Sequence, residues 1–106
     1  MIKKRKPSLP GEILYELHIK PLGMNKTSFA DAIGISRNTL HNILSGKARI
    51  TVYIAARLAK ALNTSIELWL NLQQKIDIWE VENDRSFKSE SASIRPLVSI
   101  AAHTRY

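Results

Sequence analysis

The 106-residue sequence contains no cysteine. A disulfide framework, a thiolate nucleophile and a thiolate metal ligand are therefore all excluded, and the composition suits a reducing intracellular compartment. His18, His41 and His103 do not stand at the spacing of metal ligands. The sequence thus predicts neither a metal site nor any other cofactor.

Long apolar runs and catalytic motifs are also missing. No run approaches the roughly 20 apolar residues that a membrane-spanning helix needs, and the basic N-terminus leads directly to Pro7 instead of a signal-peptide hydrophobic region. No nucleophile is paired with a base, and Gly46-Lys47 lacks the upstream glycine of a phosphate-binding loop. We therefore expect a soluble, cytoplasmic protein that is not an enzyme.

Positive charge is abundant and unevenly distributed. The formal net charge is +7, which suits a polyanionic partner such as nucleic acid. Up to Lys60 the sequence has 11 basic residues against 3 acidic ones, a net +8; from Ala61 onward it has 5 against 6, a net −1. This asymmetry predicts that the two parts of the chain face different partners.

Residues 25–51 have the pattern of two short helices joined by a tight turn. Apolar residues share one face of the first helix, and Gly34 can adopt the left-handed conformation that ends it. Ser36 is placed to cap the second helix. A helix, a glycine-containing turn and a second helix with a polar face describe a helix-turn-helix.

The second helix of this pair has the side chains that would meet DNA. Leu40, Ile43 and Leu44 form its inward stripe, and the remaining polar residues can hydrogen-bond to base edges. The predicted base-reading face consists of Arg37, Asn38, His41 and Asn42. The alternative is a helical hairpin in an ordinary bundle, whose polar face only meets water.

Basic residues flank this face. Asn25 caps the first helix and leaves Lys26 and Thr27 in its exposed first turn, and a helix N-terminus beside a lysine suits phosphate. Lys47 and Arg49 follow the second helix in a loop and could neutralise the adjacent DNA backbone. The alternative for this loop is a surface that happens to be basic.

Other helices are predicted on both sides of the central pair. Residues 1–9 form a basic arm, either a solvated tail or a DNA-contacting element. A first helix runs from Pro10 to about residue 19, with Leu17 among its inward residues, and is stopped by Pro21 and Gly23. Thr51 caps a fourth helix, and a capping box with Thr64 at the cap begins the fifth and longest, roughly residues 65–81.

The fifth helix has a heptad-like apolar seam that extends beyond what a small core could cover, which favours a dimer interface. The seam consists of Trp69, Leu72, Ile76 and Trp79. The alternative is that these residues fold back on the core of their own chain, above all Trp69.

Acidic residues also lie along this helix and its exit, and they form either a solvated face or a site for a basic protein partner. They are Asp77, Glu80, Glu82 and Asp84. Residues 10–82 thus form one predicted all-α domain of five helices. The remaining residues, 83–106, are predicted to be a polar linker over 83–93, followed by a short apolar segment, 94–100, that is extended and packs on the body or on a partner.

Three segments resemble the HigA-type antitoxins within the phage-repressor-like (XRE) helix-turn-helix family. They are PGEIL at 10–14, PLGMNKTSFADAIGISRNTLHNILSGKARIT at 21–51 and ARLAKALNTSIELWLNLQQKIDIW at 56–79. The helix-turn-helix alone would indicate only a superfamily, whereas its combination with the WLNLQ segment indicates the antitoxin branch. Ile66 is a departure, because relatives often have proline there.

The resemblance implies a five-helix domain that forms a homodimer, binds a palindromic operator in double-stranded DNA and represses its own operon. It also implies a partner, a small basic HigB-type toxin that cleaves mRNA on the ribosome and is held inactive in the complex with the antitoxin. By position, Arg37, Asn38, Thr39 and Asn42 match the base-reading face, and Lys26, Ser36, Lys47 and Arg49 match the backbone contacts. The alternative function is a stand-alone repressor without a toxin partner.

Overall fold

The computed structural model describes residues 5–99, which fold into six helices without a β-strand in that range. The predicted all-α class is confirmed. Helix α1 consists of three consecutive pieces, Pro10–Leu14, Tyr15–Ile19 and Lys20–Leu22. The others are α2 (Lys26–Ile33), α3 (Arg37–Leu44), α4 (Val52–Leu62), α5 (Ile66–Glu82) and α6 (Arg85–Ser91). The expectations for residues 1–4 and 100–106 lie outside the described residues.

Helix α1 is longer than predicted, because its middle piece is a π-helical turn. The N–H of Lys20 donates to the carbonyl of Tyr15, and the helix continues through Pro21 to end at Gly23, whose φ is 69°. The wider turn accommodates a proline that has no N–H to donate. It also changes which side chains face inward, so that Ile19 is buried while Leu17, predicted to be inward, is 66% exposed.

Three of the predicted helix caps are confirmed. Asn25, Ser36 and Thr51 accept backbone N–H bonds of 2.8, 3.0 and 3.3 Å at the starts of α2, α3 and α4. The fourth prediction is wrong, because Ser65 and not Thr64 caps α5. The Thr64 hydroxyl instead accepts a 2.9 Å bond from the indole N–H of Trp69.

Trp69 lies in the core of the single chain, which corrects the predicted dimer seam. Trp69 is fully buried and meets the ring of His18 edge-on, and Ile76 is also buried. Neither is available to a second protomer, because α5 packs against α4 and α1. Leu72 is half-buried against the same core, and half-buried Trp79 has the ammonium of Lys6 5.6 Å from its ring centroid.

The region after α5 also differs from the expected linker. Asp84 caps the short helix α6, accepting a 2.9 Å bond from the N–H of Ser86. Residues 94–99 have no regular secondary structure and their side chains are exposed; Leu97 is 98% exposed. The described part of the apolar segment therefore does not pack on the body of its own chain.

Candidate nucleic-acid interface

The turn between α2 and α3 is held from both its own backbone and a distant side chain. Gly34 has a φ of 76°, and the N–H of Ile35 donates to the carbonyl of Ala30 over 3.0 Å. From α4, the guanidinium of Arg57 donates a 2.8 Å bond to the carbonyl of Ile33, at the end of α2. A Cβ on Gly34 would lie only 2.5 Å from Nη1 of Arg57 and would displace the guanidinium, and the positive φ of this residue also favours glycine.

Arg57 is itself held in place by Tyr53. Its Nη2 donates a 2.7 Å bond to the Tyr53 hydroxyl, and the guanidinium lies 4.6 Å from the centroid of the tyrosine ring. Sequence reasoning did not find this contact to the helix-turn-helix. The i, i+4 spacing of tyrosine and arginine on α4 was the available signal.

The distance between α3 and α1 is set by a glycine of α1. Gly11 lies against the α3 backbone so closely that a Cβ there would be 2.2 Å from the carbonyl oxygen of Ile43 and 2.7 Å from Cα of Leu44. Leu40 and Ile43 fill the space beneath α3 and are buried. Sequence reasoning missed Gly11, because no local pattern distinguishes it from an ordinary glycine near a helix start.

The outer face of α3 presents the predicted base-reading residues together. Arg37, Asn38 and His41 are exposed, and Thr39 and Asn42 are half-buried at the edges of this face. The Thr39 hydroxyl accepts a 2.8 Å bond from the hydroxyl of Ser36, which fixes both groups at the first turn of α3. The face can therefore offer a guanidinium, an imidazole and two amides to hydrogen-bonding groups outside the protein.

The predicted backbone contacts at the start of α2 are exposed. Lys26 and Thr27 both lie in the first turn of this helix. The ammonium of Lys26 lies 5.2 Å from the centroid of the Tyr15 ring, and this cation–π contact restricts the position of the ammonium. This N-terminus thus combines free N–H groups with a positioned cation.

The loop after α3 places its two cations differently. Gly46, with a φ of 82°, ends the helix, and Lys47 is exposed. Arg49 was predicted to lie beside α3, but its guanidinium instead engages Asp77 on α5, with a 3.3 Å bond from Nε and a second bond from Nη2. The hydrogen bond from Arg49 lowers the pKa of the Asp77 carboxyl, with burial opposing and a bond from Gln73 supporting the change.

Gln73 joins this loop to α5. Its side-chain oxygen accepts a 2.8 Å bond from the backbone N–H of Ile50, and its amide nitrogen donates a 3.0 Å bond to Asp77. Both Gln73 and Ile50 are buried. The end of the loop is therefore fixed to the long helix.

Apolar side chains remain exposed on the second half of α5 and on α6. Ile78 and Val81 are each about half exposed, and Phe87 is 42% exposed. None of these belonged to the predicted seam, because the heptad spacing selected the buried stripe next to them. No helix among residues 5–99 combines the length and apolar character needed to cross a membrane.

The fold and this surface define the class of helix-turn-helix DNA-binding proteins. The family model described as "Helix-turn-helix" matches residues 18–69. Among curated proteins, an uncharacterized HTH-type transcriptional regulator of Haemophilus influenzae is 40% identical over 94 residues, which cover 89% of this chain and 88% of the relative. Antitoxin HigA-1 of Vibrio cholerae is 35% identical, with 89% and 87% covered.

Solved structures agree in fold. Antitoxin GraA in complex with its operator has a TM-score of 0.80 at 32% identity, covering 93% of this chain and 99% of that one. Pseudomonas aeruginosa antitoxin HigA with the higBA promoter has a TM-score of 0.77 at 27% identity, covering 87% and 99%. The chain belongs to the XRE-type helix-turn-helix family, to which the HigA antitoxins also belong. This is a family of DNA-binding regulators and not of enzymes.

Proposed function

We propose that this protein is a HigA-type antitoxin that binds operator DNA as a homodimer, represses its own operon and neutralises a HigB-type mRNA-cleaving toxin. The DNA-binding part is supported by the exposed polar face of α3. Gly11 holds this helix at its C-terminal end, and Arg57 holds the turn that precedes it. Relatives of the same fold have been solved with operator DNA, which supports it. The toxin part rests on the HigA relatives.

Base reading falls to the exposed side chains of α3. Arg37 suits the two acceptors of guanine, and Asn38 or Asn42 suits the donor and acceptor of adenine. Each good bidentate contact contributes roughly 1–3 kcal/mol of discrimination. Thr39 and His41 lie on the same face and complete the proposed reading surface.

Contacts to the DNA backbone fall to groups around this face. Lys26 and Thr27 at the start of α2 and Ser36 at the start of α3 lie beside helix N-termini, which attract phosphate. Lys47 provides an exposed cation on the other side of α3. Such contacts contribute affinity for any sequence and set the position of α3 in the groove.

The dimer is proposed to form through the C-terminal helices. Because Trp69 and Ile76 are buried in their own chain, the exposed residues Ile78, Val81 and Phe87 provide the apolar surface for this contact. A dimer would present two α3 helices to successive major grooves, roughly 34 Å apart. This spacing matches a palindromic operator.

The DNA-binding part is tested by titrating a duplex from upstream of the gene, and a scrambled duplex of equal length, at two salt concentrations. Arg37→Ala is expected to weaken binding to the upstream duplex and relax preference at one base pair, because it removes a base contact. Lys47→Ala is expected to weaken both duplexes alike and lower the salt slope by about 1. Lys60→Ala, which removes the same charge from the end of α4, is the matched control.

Unchanged binding of the upstream duplex by the Arg37→Ala variant would show that α3 is not the reader. An equal effect of Lys60→Ala and Lys47→Ala would show that only net charge matters. Either result refutes the proposed interface.

The alternative function is a stand-alone repressor, and the description of the Haemophilus influenzae relative as a transcriptional regulator supports it. A short basic toxin gene beside this one would favour the antitoxin. Co-expression then decides, since an antitoxin must rescue cells from that toxin. Failure to rescue would leave a repressor without the second partner.

A further inference from the structure

We propose that Asp77 restrains DNA binding by holding the guanidinium of Arg49 against α5, which withholds this cation from phosphate. The inference rests on the proposed DNA-binding function and adds a positioning residue that lies on the long C-terminal helix. Asp77 would act on DNA only through Arg49. The sequence suggested that Arg49 contacts the DNA backbone, whereas the proposed restraint keeps its guanidinium on Asp77.

Asp77 and Arg49 form an ion pair that joins α5 to the loop after α3. Asp77 takes the Nε and Nη2 side of the guanidinium, so one carboxylate engages the guanidinium side-on with two hydrogen bonds. The side chain of Arg49 is 66% exposed and that of Asp77 only 30% exposed. Glu80 adds a further favourable electrostatic interaction with Arg49.

The two partners of this ion pair are not equally fixed. Asp77 accepts a bond from Gln73, and Gln73 is itself buried and bonded to the backbone of Ile50. The carboxylate is therefore anchored, whereas Arg49 is a long side chain on an exposed loop. The arginine is the partner that can leave.

The ion pair changes the charge that the loop after α3 presents to DNA. Lys47 is an exposed cation two residues earlier, free to neutralise a phosphate. Arg49 paired with Asp77 has no net charge, and a neutral pair releases no counterion from DNA. An exposed ion pair of this kind is weak, so its loss should raise DNA affinity by about two- to fivefold and not by orders of magnitude.

The experiment uses the full chain with Asp77→Asn, Arg49→Ala and the double variant. The asparagine introduced at this position would keep an oxygen that can accept the Gln73 bond and would remove only the charge, and circular dichroism checks that each variant is folded. Glu67→Gln is the control, since it removes the same charge from the first turn of α5, about 15 Å away along the helix. Each protein is titrated with the upstream and the scrambled duplex at about 50 mM and about 200 mM salt.

Asp77→Asn is expected to steepen the salt slope by about 0.9, so that its advantage over the natural protein grows about 3.5-fold between the higher and the lower salt. Both duplexes should respond alike, because phosphate contacts are independent of sequence. The double variant should keep the natural slope and lose the gain of Asp77→Asn, because, like the natural ion pair, it carries no net charge at these two positions. Arg49→Ala alone leaves the Asp77 charge unpaired, so it should weaken binding to both duplexes. Glu67→Gln should leave the slope unchanged.

A slope for the double variant below that of the natural protein would show that Arg49 already contacts phosphate, and would overturn the proposal. So would an unchanged slope for Asp77→Asn, or a gain that persists in the double variant. If the natural chain binds both duplexes equally, the proposed operator function fails. The salt slopes of the variants still test the role of Asp77 in that case. If the natural chain binds neither duplex at either salt, both proposals fail.

Discussion

Replacing Gln73 with leucine tests whether the loop after α3 is held by α5. The side-chain oxygen of Gln73 accepts the 2.8 Å bond from the N–H of Ile50, and both residues are buried. Leucine is apolar and somewhat larger than glutamine, and it has no acceptor. The N–H of Ile50 would therefore remain buried without a partner.

The size of the effect follows from what each group loses. An orphaned buried N–H costs about 1–3 kcal/mol. Asp77 loses one hydrogen bond as well, but it keeps Arg49 and is partly exposed, so water can replace the lost donor. We therefore expect the free energy of unfolding to fall by about 1–3 kcal/mol, with a melting temperature lower by roughly 4–8 °C for each kcal/mol.

Equilibrium denaturation with urea measures this change directly. Gln74→Leu is the matched control, because Gln74 is the exposed neighbour on the same helix, and its replacement should change stability by no more than about 0.5 kcal/mol. The two variants have the same composition. If they unfolded at the same urea concentration, the bond between Gln73 and Ile50 would not contribute to stability and the reasoning would be refuted.

Two further predictions follow from contacts around α3. In the Gly11→Ala variant the added Cβ would meet the backbone of Ile43. This clash should either destabilise the protein by about 1–3 kcal/mol or displace α3 and weaken DNA binding. Denaturation measures the first effect and DNA titration the second. The pKa of Asp77 is lowered in the folded state, so its stabilising effect is complete above its unfolded pKa of about 3.9 and is lost as the pH falls through the lower folded value. Asp77→Asn should therefore lose less stability on acidification below about pH 4, and an acid limb identical to that of the natural protein would contradict this.

Features decided within one helical turn were predictable from the sequence. Asn25, Ser36 and Thr51 each cap a helix through an N–H three residues ahead, so the relevant chemistry lies within four consecutive residues. Gly34 is similarly local, because the left-handed φ at the end of α2 favours glycine. These positions therefore predict where α2 and α3 begin and where α2 ends.

Features decided by distant contacts were not predictable. Trp69 has the spacing of an outward seam, yet α1 and α4 cover it, and its indole finds the hydroxyl of Thr64. Leu17 has the spacing of an inward residue, yet the π-helical turn directs it to solvent. Periodicity identifies a stripe on a helix, but the neighbours that cover the stripe depend on the whole fold.

Three contacts that hold the helix-turn-helix and its loop share one property: each is made to the backbone. Gly11 lies against the carbonyl of Ile43, Arg57 bonds the carbonyl of Ile33, and Gln73 accepts from the N–H of Ile50. None of them involves a side chain of the exposed α3 face. The residues proposed to read DNA can therefore change without loss of these three contacts. In physical terms, the scaffold fixes where α3 lies, and the proposed recognition of a DNA sequence falls to the exposed side chains of this helix.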